Sequence, residues 1–374
     1  MVKLAVLTSS RADFGVYLPL LKAFKQDNEI YFDLIVFGTH LSHLHGYTIK
    51  EILSHGFENI VSIPTTLSSD DPESISTSAA LTNLKFSSFW ALNKSRYDFI
   101  LCLGDRYEMF SAAVASVPFR IPVVHFYGGD YTVGAIDNVY RDGITHLASI
   151  HFTSTEKCTT RVKKMVTENT RVYPIGILSL DSISKMKTLT TVEFYENWNI
   201  DITLPFVLIT FHPETMNISE SLMHCEVISK TLQHLHKKYQ LVVTMPNADT
   251  NNNAFRDLFV RLKSVFTEKF YAIENFGQES YFTALKYCSF VLGNSSSGIS
   301  EAASFGKYVI NVGSRQKGRE TGDNIYNVEF NSNQIIDTVK KIEAMGDYSG
   351  NNIYYVENSI PQIIKTLKDY ERSK

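Results

Sequence analysis

Phe290-Val291-Leu292-Gly293-Asn294-Ser295-Ser296-Ser297-Gly298-Ile299-Ser300-Glu301 is the stretch from which the fold can be read. Apolar residues run without alternation into a glycine, the pattern of a strand buried on both faces. The serines that follow open a helix. Backbone N–H groups and hydroxyls at such a helix start make an anion site suited to a diphosphate. Glu301 falls about one turn further in, where a carboxylate can accept two hydrogen bonds from a ribose diol. The plainer reading is a serine-rich cap with a capping-type glutamate.

The same pattern recurs outward along the chain. Leu4–Leu7, Phe32–Phe37, Phe99–Leu103, Val123–Phe126, Phe206–Phe211, Leu241–Met245 and Val309–Val312 are further short apolar runs. Between them, Val16–Phe24, Met109–Val117, Leu222–Lys238 and Phe255–Val265 carry apolar residues every three or four positions, as helices do. Strands alternating with helices predict an α/β fold with doubly wound parallel sheets. The series breaks at Ile175–Leu204, which has no clear strand, and restarts at Phe206. Two domains are therefore expected, 1–178 and 179–360. A C-terminal helix at about 361–374 would pack back on the first.

A chain of 374 residues suits two such domains. Its net charge of -3 offers no field for nucleic acid. No run is long and apolar enough to span a membrane, and no signal peptide is visible in the first 30 residues. Cys102, Cys158, Cys225 and Cys288 form no Cys-x-x-Cys pair, so reduced thiols and a cytoplasmic location are expected. The histidines form no ligand-spaced cluster, and neither a Gly-x-Gly-x-x-Gly nor a P-loop is present. No metal and no cofactor is therefore expected.

In parallel sheets ligands bind beyond the carboxyl ends of the strands, so residues just after each apolar run carry the chemistry. After the first run stand Ser9, Ser10, Arg11 and Asp13, a turn that fits an anion. After Leu103 come Gly104, Asp105, Arg106, Tyr107 and Glu108. Asp105 can act as acid or base, or orient a sugar hydroxyl, and Arg106 can hold a phosphate; a helix start with Asp105 as its N-cap is the alternative. His125-Phe126-Tyr127-Gly128-Gly129-Asp130 lets backbone approach a ligand closely. Asp137 and Arg141 follow at helical spacing, so they share a face; a solvated i, i+4 ion pair is the alternative. His212, in Phe211-His212-Pro213-Glu214, can donate to a phosphate or transfer a proton. The run from Gly313 to Gly322 holds Arg315, Lys317 and Arg319 beside glycines, as in an anion clamp.

Taken together, these stretches resemble the hydrolysing UDP-N-acetylglucosamine 2-epimerases of sialic-acid synthesis, the bacterial capsule type above all, from about Lys3 to Asn327. The Gly293–Gly298 run with Glu301, the Gly313–Gly322 run and Gly104-Asp105-Arg106 carry the resemblance in combination; Ser10–Asp13 and Phe211-His212-Pro213 are in order with them. The resemblance implies two Rossmann-like domains of glycosyltransferase-B type with UDP in the cleft between them. It implies that Arg11, His212, Ser295 and Ser296 approach the phosphates, that Glu301 takes the ribose, and that Arg315 lies near the nucleotide end. Gly298 belongs to the same serine-rich site. Asp105 and Asp137 match the catalytic carboxylates, with His212 counted among the catalytic residues and Arg106, Asp130 and Arg141 as binding partners of the substrate. A homodimer is common for the family.

Two departures stand out. Many members read Glu-Gly-Gly-Glu where this chain has Tyr127-Gly128-Gly129-Asp130, and an arginine-histidine pair is Arg141-Asp142 here. A third family carboxylate is thus replaced by Tyr127, leaving Asp130 or Asp142 to take over, or a different substrate. The implied reaction turns UDP-N-acetylglucosamine into N-acetylmannosamine and UDP through a glycal. The alternatives are the same hydrolysis of UDP-diacetylbacillosamine, a non-hydrolysing epimerisation, and a glycosyltransferase.

Overall fold

The structure, a computed structural model, describes residues 1–43, 46–67, 69, 71–133, 135–167, 170–181, 183, 188–214, 218–246, 253–266 and 268–372. Residues 373 and 374 of the expected C-terminal helix, and 182 and 184–187 of the 175–204 stretch, lie outside them. The chain divides into two compact units, Met1–Ser182 with Tyr355–Lys374, and Ile183–Tyr354.

The first unit is built on seven strands: β1 (Val2–Thr8), β2 (Ile30–Phe37), β3 (Ile60–Ile63), β4 (Phe99–Leu103), β5 (Val123–Phe126), β6 (Ile150–Thr153) and β7 (Arg171–Pro174). Every pairing is parallel, and the order is β3-β2-β1-β4-β5-β6-β7. Leu4 and Val6 of β1 enter one apolar cluster, while Ala5 and Leu7 enter the cluster on the opposite face. Because both faces are covered by helices, these strands read as unbroken apolar runs.

The second unit repeats the plan with β8 (Phe206–Thr210), β9 (Gln240–Thr244), β10 (Phe270–Ile273), β11 (Phe290–Gly293), β12 (Val309–Val312) and β13 (Ile325–Val328). These are also parallel, in the order β10-β9-β8-β11-β12-β13. In both units the chain winds outward from a central strand, then returns to build the other half. The switch points lie between β1 and β4 and between β8 and β11, where a crevice opens beyond the carboxyl ends.

The C-terminal helix Ser359–Arg372 inserts Ile360, Ile363 and Leu367 into the first unit's core. Lys368 adds ion pairs to Asp27 and Glu29, each at 2.8 Å. Among the described residues, no helix is long and apolar enough to cross a membrane.

Five strands escape the apolar-run reading: β3, β6, β7, β10 and β13. Four of these are sheet edges and the fifth adjoins one. An edge strand needs no continuous apolar surface; Ile60–Ile63 and Ile325–Val328 hold no fully buried residue, and Ser62 and Asn327 within them are exposed. The helix Pro72–Asn93, the longest among those described, also lacks a clear apolar stripe, because serines and threonines are scattered round it.

Candidate functional site

The two switch points hold different chemistry. At β1, Ser10 caps the helix Arg11–Gln26 in a capping box with Asp13. Asp13 is buried and accepts from the Ser9 amide at 2.9 Å, the Ser9 hydroxyl at 2.7 Å and the Ser10 hydroxyl at 2.9 Å. Burial pushes its pKa up, against those hydrogen bonds and the nearby Arg106. Arg11 opens the same helix on the exposed side and pairs with Glu51 at 3.1 Å.

At the tip of β4, Gly104 takes a left-handed φ of +81°, turning the chain so that Asp105 and Arg106 follow the strand's end. Arg106 donates to the fully buried Glu108 at 2.8 and 3.2 Å. Arg141, on the helix Asp137–Leu147, is 4% exposed. Its guanidinium donates to the carboxylate of Asp105, to the Asp130 carbonyl at 2.9 Å and to Asn138 Oδ1 at 2.9 Å. The solvated i, i+4 pair with Asp137 is therefore not the contact that forms. A buried guanidinium must spend its donors on acceptors around it, and these lie at the strand tips.

Asp137 stands at the start of that helix, with its outer surface exposed but its carboxylate crowded by neighbouring protein atoms. Lost hydration raises its pKa, and the negative charge of Asp105 raises it further; Arg106 and Arg141 act in the opposite sense. Two carboxylates thus share one site, with cations beside them, an arrangement typical of acid–base chemistry.

Asp130 and Asp142 are otherwise engaged. Asp130 Oδ1 accepts from the Ser154 hydroxyl at 2.8 Å and the Cys158 thiol at 3.0 Å. Asp142 receives both arms of Arg161, at 2.9 and 2.7 Å. Tyr127 sits at a φ of +65°, rare for a bulky side chain, and its hydroxyl accepts from the Leu178 amide at 2.9 Å.

In the second unit the loop after β8 is held by Asn294, which is fully buried. Its Oδ1 accepts from the His212 amide at 2.7 Å, and its Nδ2 donates to the His212 carbonyl at 2.8 Å. Burial and the charge of Arg315 lower the His212 pKa to about 4, so the ring is a neutral donor and acceptor near pH 7. Glu214 ties three loops together: it accepts from Asn294 Nδ2 at 3.2 Å, the Ser314 amide at 2.9 Å and the Arg315 amide at 2.9 Å. The Arg315 side chain donates to the Asn294 carbonyl at 3.0 Å. Burial and Arg319 lower its pKa, while Glu214 opposes them.

Ser295 caps the short helix Ser296–Glu301, and its hydroxyl lies 3.0 Å from that of Ser297, which lies 2.6 Å from the Tyr281 hydroxyl. Gly298 is buried within that helix, where a side chain would press on Val309. Gly293 has no substitute, because its φ is +145° and a Cβ would overlap the Thr210 carbonyl. Among the described residues no group of three or more His, Cys, Asp or Glu side chains could hold a metal ion.

The chain matches the family model described as UDP-N-acetylglucosamine 2-epimerase over residues 22–368. It belongs to the UDP-N-acetylglucosamine 2-epimerase family. It is 33% identical over 329 residues to the hydrolysing GDP/UDP-N,N'-diacetylbacillosamine 2-epimerase of Campylobacter jejuni, covering 88% of this chain and 85% of that protein. To the hydrolysing UDP-N,N'-diacetylbacillosamine 2-epimerase of Legionella pneumophila it is 30% identical over 334 residues, covering 89% and 87%. Its fold is similar to that of the UDP-GlcNAc 2-epimerase of Neisseria meningitidis solved with UDP-GlcNAc, with a TM-score of 0.78 at 17% identity over 99% of this chain and 100% of that one. The glycosyltransferase-B-like α/β class expected from the sequence is thus the class of its structural neighbours.

Within this UDP-N-acetylglucosamine 2-epimerase family member, Asp105, Arg106, Asp130, Asp137 and Arg141 come together in the first unit. His212, Ser295, Ser296, Glu301 and Arg315 belong to the switch-point loops and helix of the second. Arg11 stays on the exposed side of its helix, paired as described. Sequence reading passed over Asp13, Asn294 and Glu214 as functional residues, although all three lie inside the quoted motifs. Asp13 closes a local capping box with Ser10, which spacing does record, whereas Asn294 and Glu214 hold backbone amides of other loops, partners of which spacing along the chain carries no signal.

Proposed function

We propose that this family member is a hydrolysing 2-epimerase of a UDP-linked 2-acetamido sugar. The observation that carries the proposal is the Asp105–Asp137 pair, two carboxylates close enough for one to raise the other's pKa, with Arg141 held on Asp105. The C2–H of a sugar is hardly acidic. Departure of UDP from C1 gives that carbon oxocarbenium character and labilises the neighbouring C–H. Asp137, a stronger base for its raised pKa, takes the C2 proton and leaves a glycal. Water then adds at C1 while a proton is delivered to the opposite face of C2, with Asp105 handling the water or the returning proton. The sum is UDP-sugar plus water going to UDP and a free sugar inverted at C2. In the second unit His212, Ser295, Ser296 and Arg315 bind the departing diphosphate, and Glu301 the ribose.

The substrate we assign is UDP-N-acetylglucosamine, with N-acetylmannosamine as product. A second substrate, UDP-diacetylbacillosamine, is favoured by the names of the relatives at 33% and 30% identity and by Tyr127 in place of the family glutamate.

Isotope labels test the reaction. Turnover in heavy water should place deuterium at C2 of the product. Turnover in oxygen-labelled water, read early, should place the label at C1 of a free amino sugar. An intact UDP-sugar epimer carrying deuterium but no C1 label would make the enzyme non-hydrolysing, and label on the UDP phosphate would mean P–O cleavage and end the proposal. Running both UDP sugars in parallel decides the substrate.

A further inference from the structure

His125 is a fully buried histidine on β5 that the reaction just described does not use. Its Nε2 lies 2.9 Å from the Gly104 carbonyl, and its Nδ1 lies 3.2 Å from the hydroxyl of Thr145. A carbonyl only accepts, so Nε2 carries the ring proton and Nδ1 is the acceptor. Burial holds the pKa of His125 down at about 3, which keeps the ring in this neutral, single-donor form. The Thr145 hydroxyl also lies 3.0 Å from the Arg141 carbonyl, inside the helix that begins with Asp137, so its single proton is shared between that carbonyl and Nδ1.

These contacts meet on the two elements that carry the carboxylates. Gly104 is the residue before Asp105, in a left-handed conformation that leaves the direction of the next residue to whatever holds its peptide. The Gly104 amide is already tied to the Phe126 carbonyl at 3.1 Å. Its carbonyl is tied to His125. Thr145, two turns along from Asp137, is where the same imidazole reaches the helix. Gly128 closes the arrangement: a Cβ there would stand 2.9 Å from both His125 Nδ1 and the Thr145 hydroxyl. The first glycine of the Gly128-Gly129 pair is therefore required by this buried pair of side chains, whatever else the turn does.

We propose that His125 is a positioning residue which, through Gly104 on one side and Thr145 on the other, sets the spacing between Asp105 and the helix bearing Asp137 and Arg141. The proposal rests on the assignment of Asp105 and Asp137 made above. It differs from a general packing role in one respect. It predicts that a side chain presenting a donor where Nε2 now lies restores function, whatever its ring or volume.

The test compares the full-length His125→Phe, His125→Gln and Thr145→Val variants with the unaltered enzyme, measuring kcat, KM and UDP affinity by calorimetry. Loss of the clamp should lower kcat roughly ten- to hundredfold in His125→Phe, with UDP affinity within about twofold, since misplacement by a fraction of an ångström acts on chemistry rather than on nucleotide binding. His125→Gln keeps a donor for the Gly104 carbonyl and should recover most of the kcat. Thr145→Val should fall between the two. Unchanged kcat in His125→Phe overturns the proposal, as does an equal fall of kcat in Phe and Gln variants. Should His125→Phe fail to fold, His125→Met, which also lacks a donor for the Gly104 carbonyl, takes its place by the same criterion: His125→Met must be slower than His125→Gln, and an equal fall of kcat overturns the proposal. Should the unaltered enzyme turn over no UDP sugar, the assigned reaction fails on its own. The crystal structure of Thr145→Val then decides the positioning role: retention of the Asp105–Arg141 ion pair in its present geometry overturns it, and displacement of that pair supports it.

Discussion

The two units share one strand order over six strands, the first adding β7 at its edge, and put opposite chemistry at the same topological place. Beyond β1 and β4 the first unit gathers the carboxylates of Asp13, Asp105, Glu108 and Asp137 with the guanidinium groups of Arg106 and Arg141. Beyond β8 and β11 the second offers hydroxyls, a neutral histidine, the buried amide of Asn294 and the cation of Arg315, whose guanidinium donates to the Asn294 carbonyl while its backbone amide is held by Glu214. Winding order fixes where a ligand is met, because that is where neighbouring connections diverge. It says nothing about what is done there, since the side chains are grafted onto loops. The contrast teaches a division of labour: proton transfer needs titratable groups that perturb one another, whereas holding a diphosphate needs fixed donors.

The largest effect should come from breaking the first unit's half of that contrast. Asp137→Asn and Asp105→Asn should each lower turnover by at least about 10² while UDP still binds, because a positioned acid or base is worth that much. Steady-state kinetics paired with UDP titration checks this; near-normal turnover in either variant removes that residue from the chemistry.

The complementary change acts on binding. Glu301→Ala should weaken UDP by roughly 1.5 to 3 kcal/mol, the range for hydrogen bonds to a charged group, with the ground state and transition state losing alike. KM should rise while kcat at saturation holds. A calorimetric titration giving unaltered affinity would take Glu301 out of the site.

Acid sensitivity gives the smallest and most diffuse distinction. His40, His125 and His151 in the first unit have pKa values lowered by burial to about 4, 3 and 4, against His212 at about 4 and a milder lowering of His236 in the second. Each is neutral when folded and titrates near 6.5 when unfolded. Between those values the unfolded chain binds the extra proton, so stability falls as pH drops, by at most about 1.4 kcal/mol per pH unit for each group. Above about pH 6.5 these histidines contribute no slope. The raised pKa values of Asp13 and Asp137 act in reverse, favouring the folded state as they protonate, and offset part of the loss. Urea unfolding at about pH 7.5 and about pH 5 should show the first unit losing more stability, read from the fluorescence of its Trp90 against that of Trp198 in the second. Equal losses would show that the buried histidines do not set the difference.

Sequence alone determined the alternation of buried strands and helices and the polar turns that follow them. Both follow from local rules: a strand covered on two faces must be apolar at every position, and a helix start must cap its free amides. Ser295 before Ser296–Glu301 and the Ser10–Asp13 box are legible for that reason. Edge strands such as Ile60–Ile63 and Ile325–Val328 were not, because one side of an edge is relieved of the apolar requirement. Only the tertiary structure decided that Arg141 goes to Asp105 rather than to Asp137 four residues away, that Asp142 is taken by Arg161, and that Glu214 binds amides a hundred residues further on. Those choices belong to buried donors and acceptors, which take whatever partner the converging strand tips bring within reach, and no spacing along the chain records which one that will be.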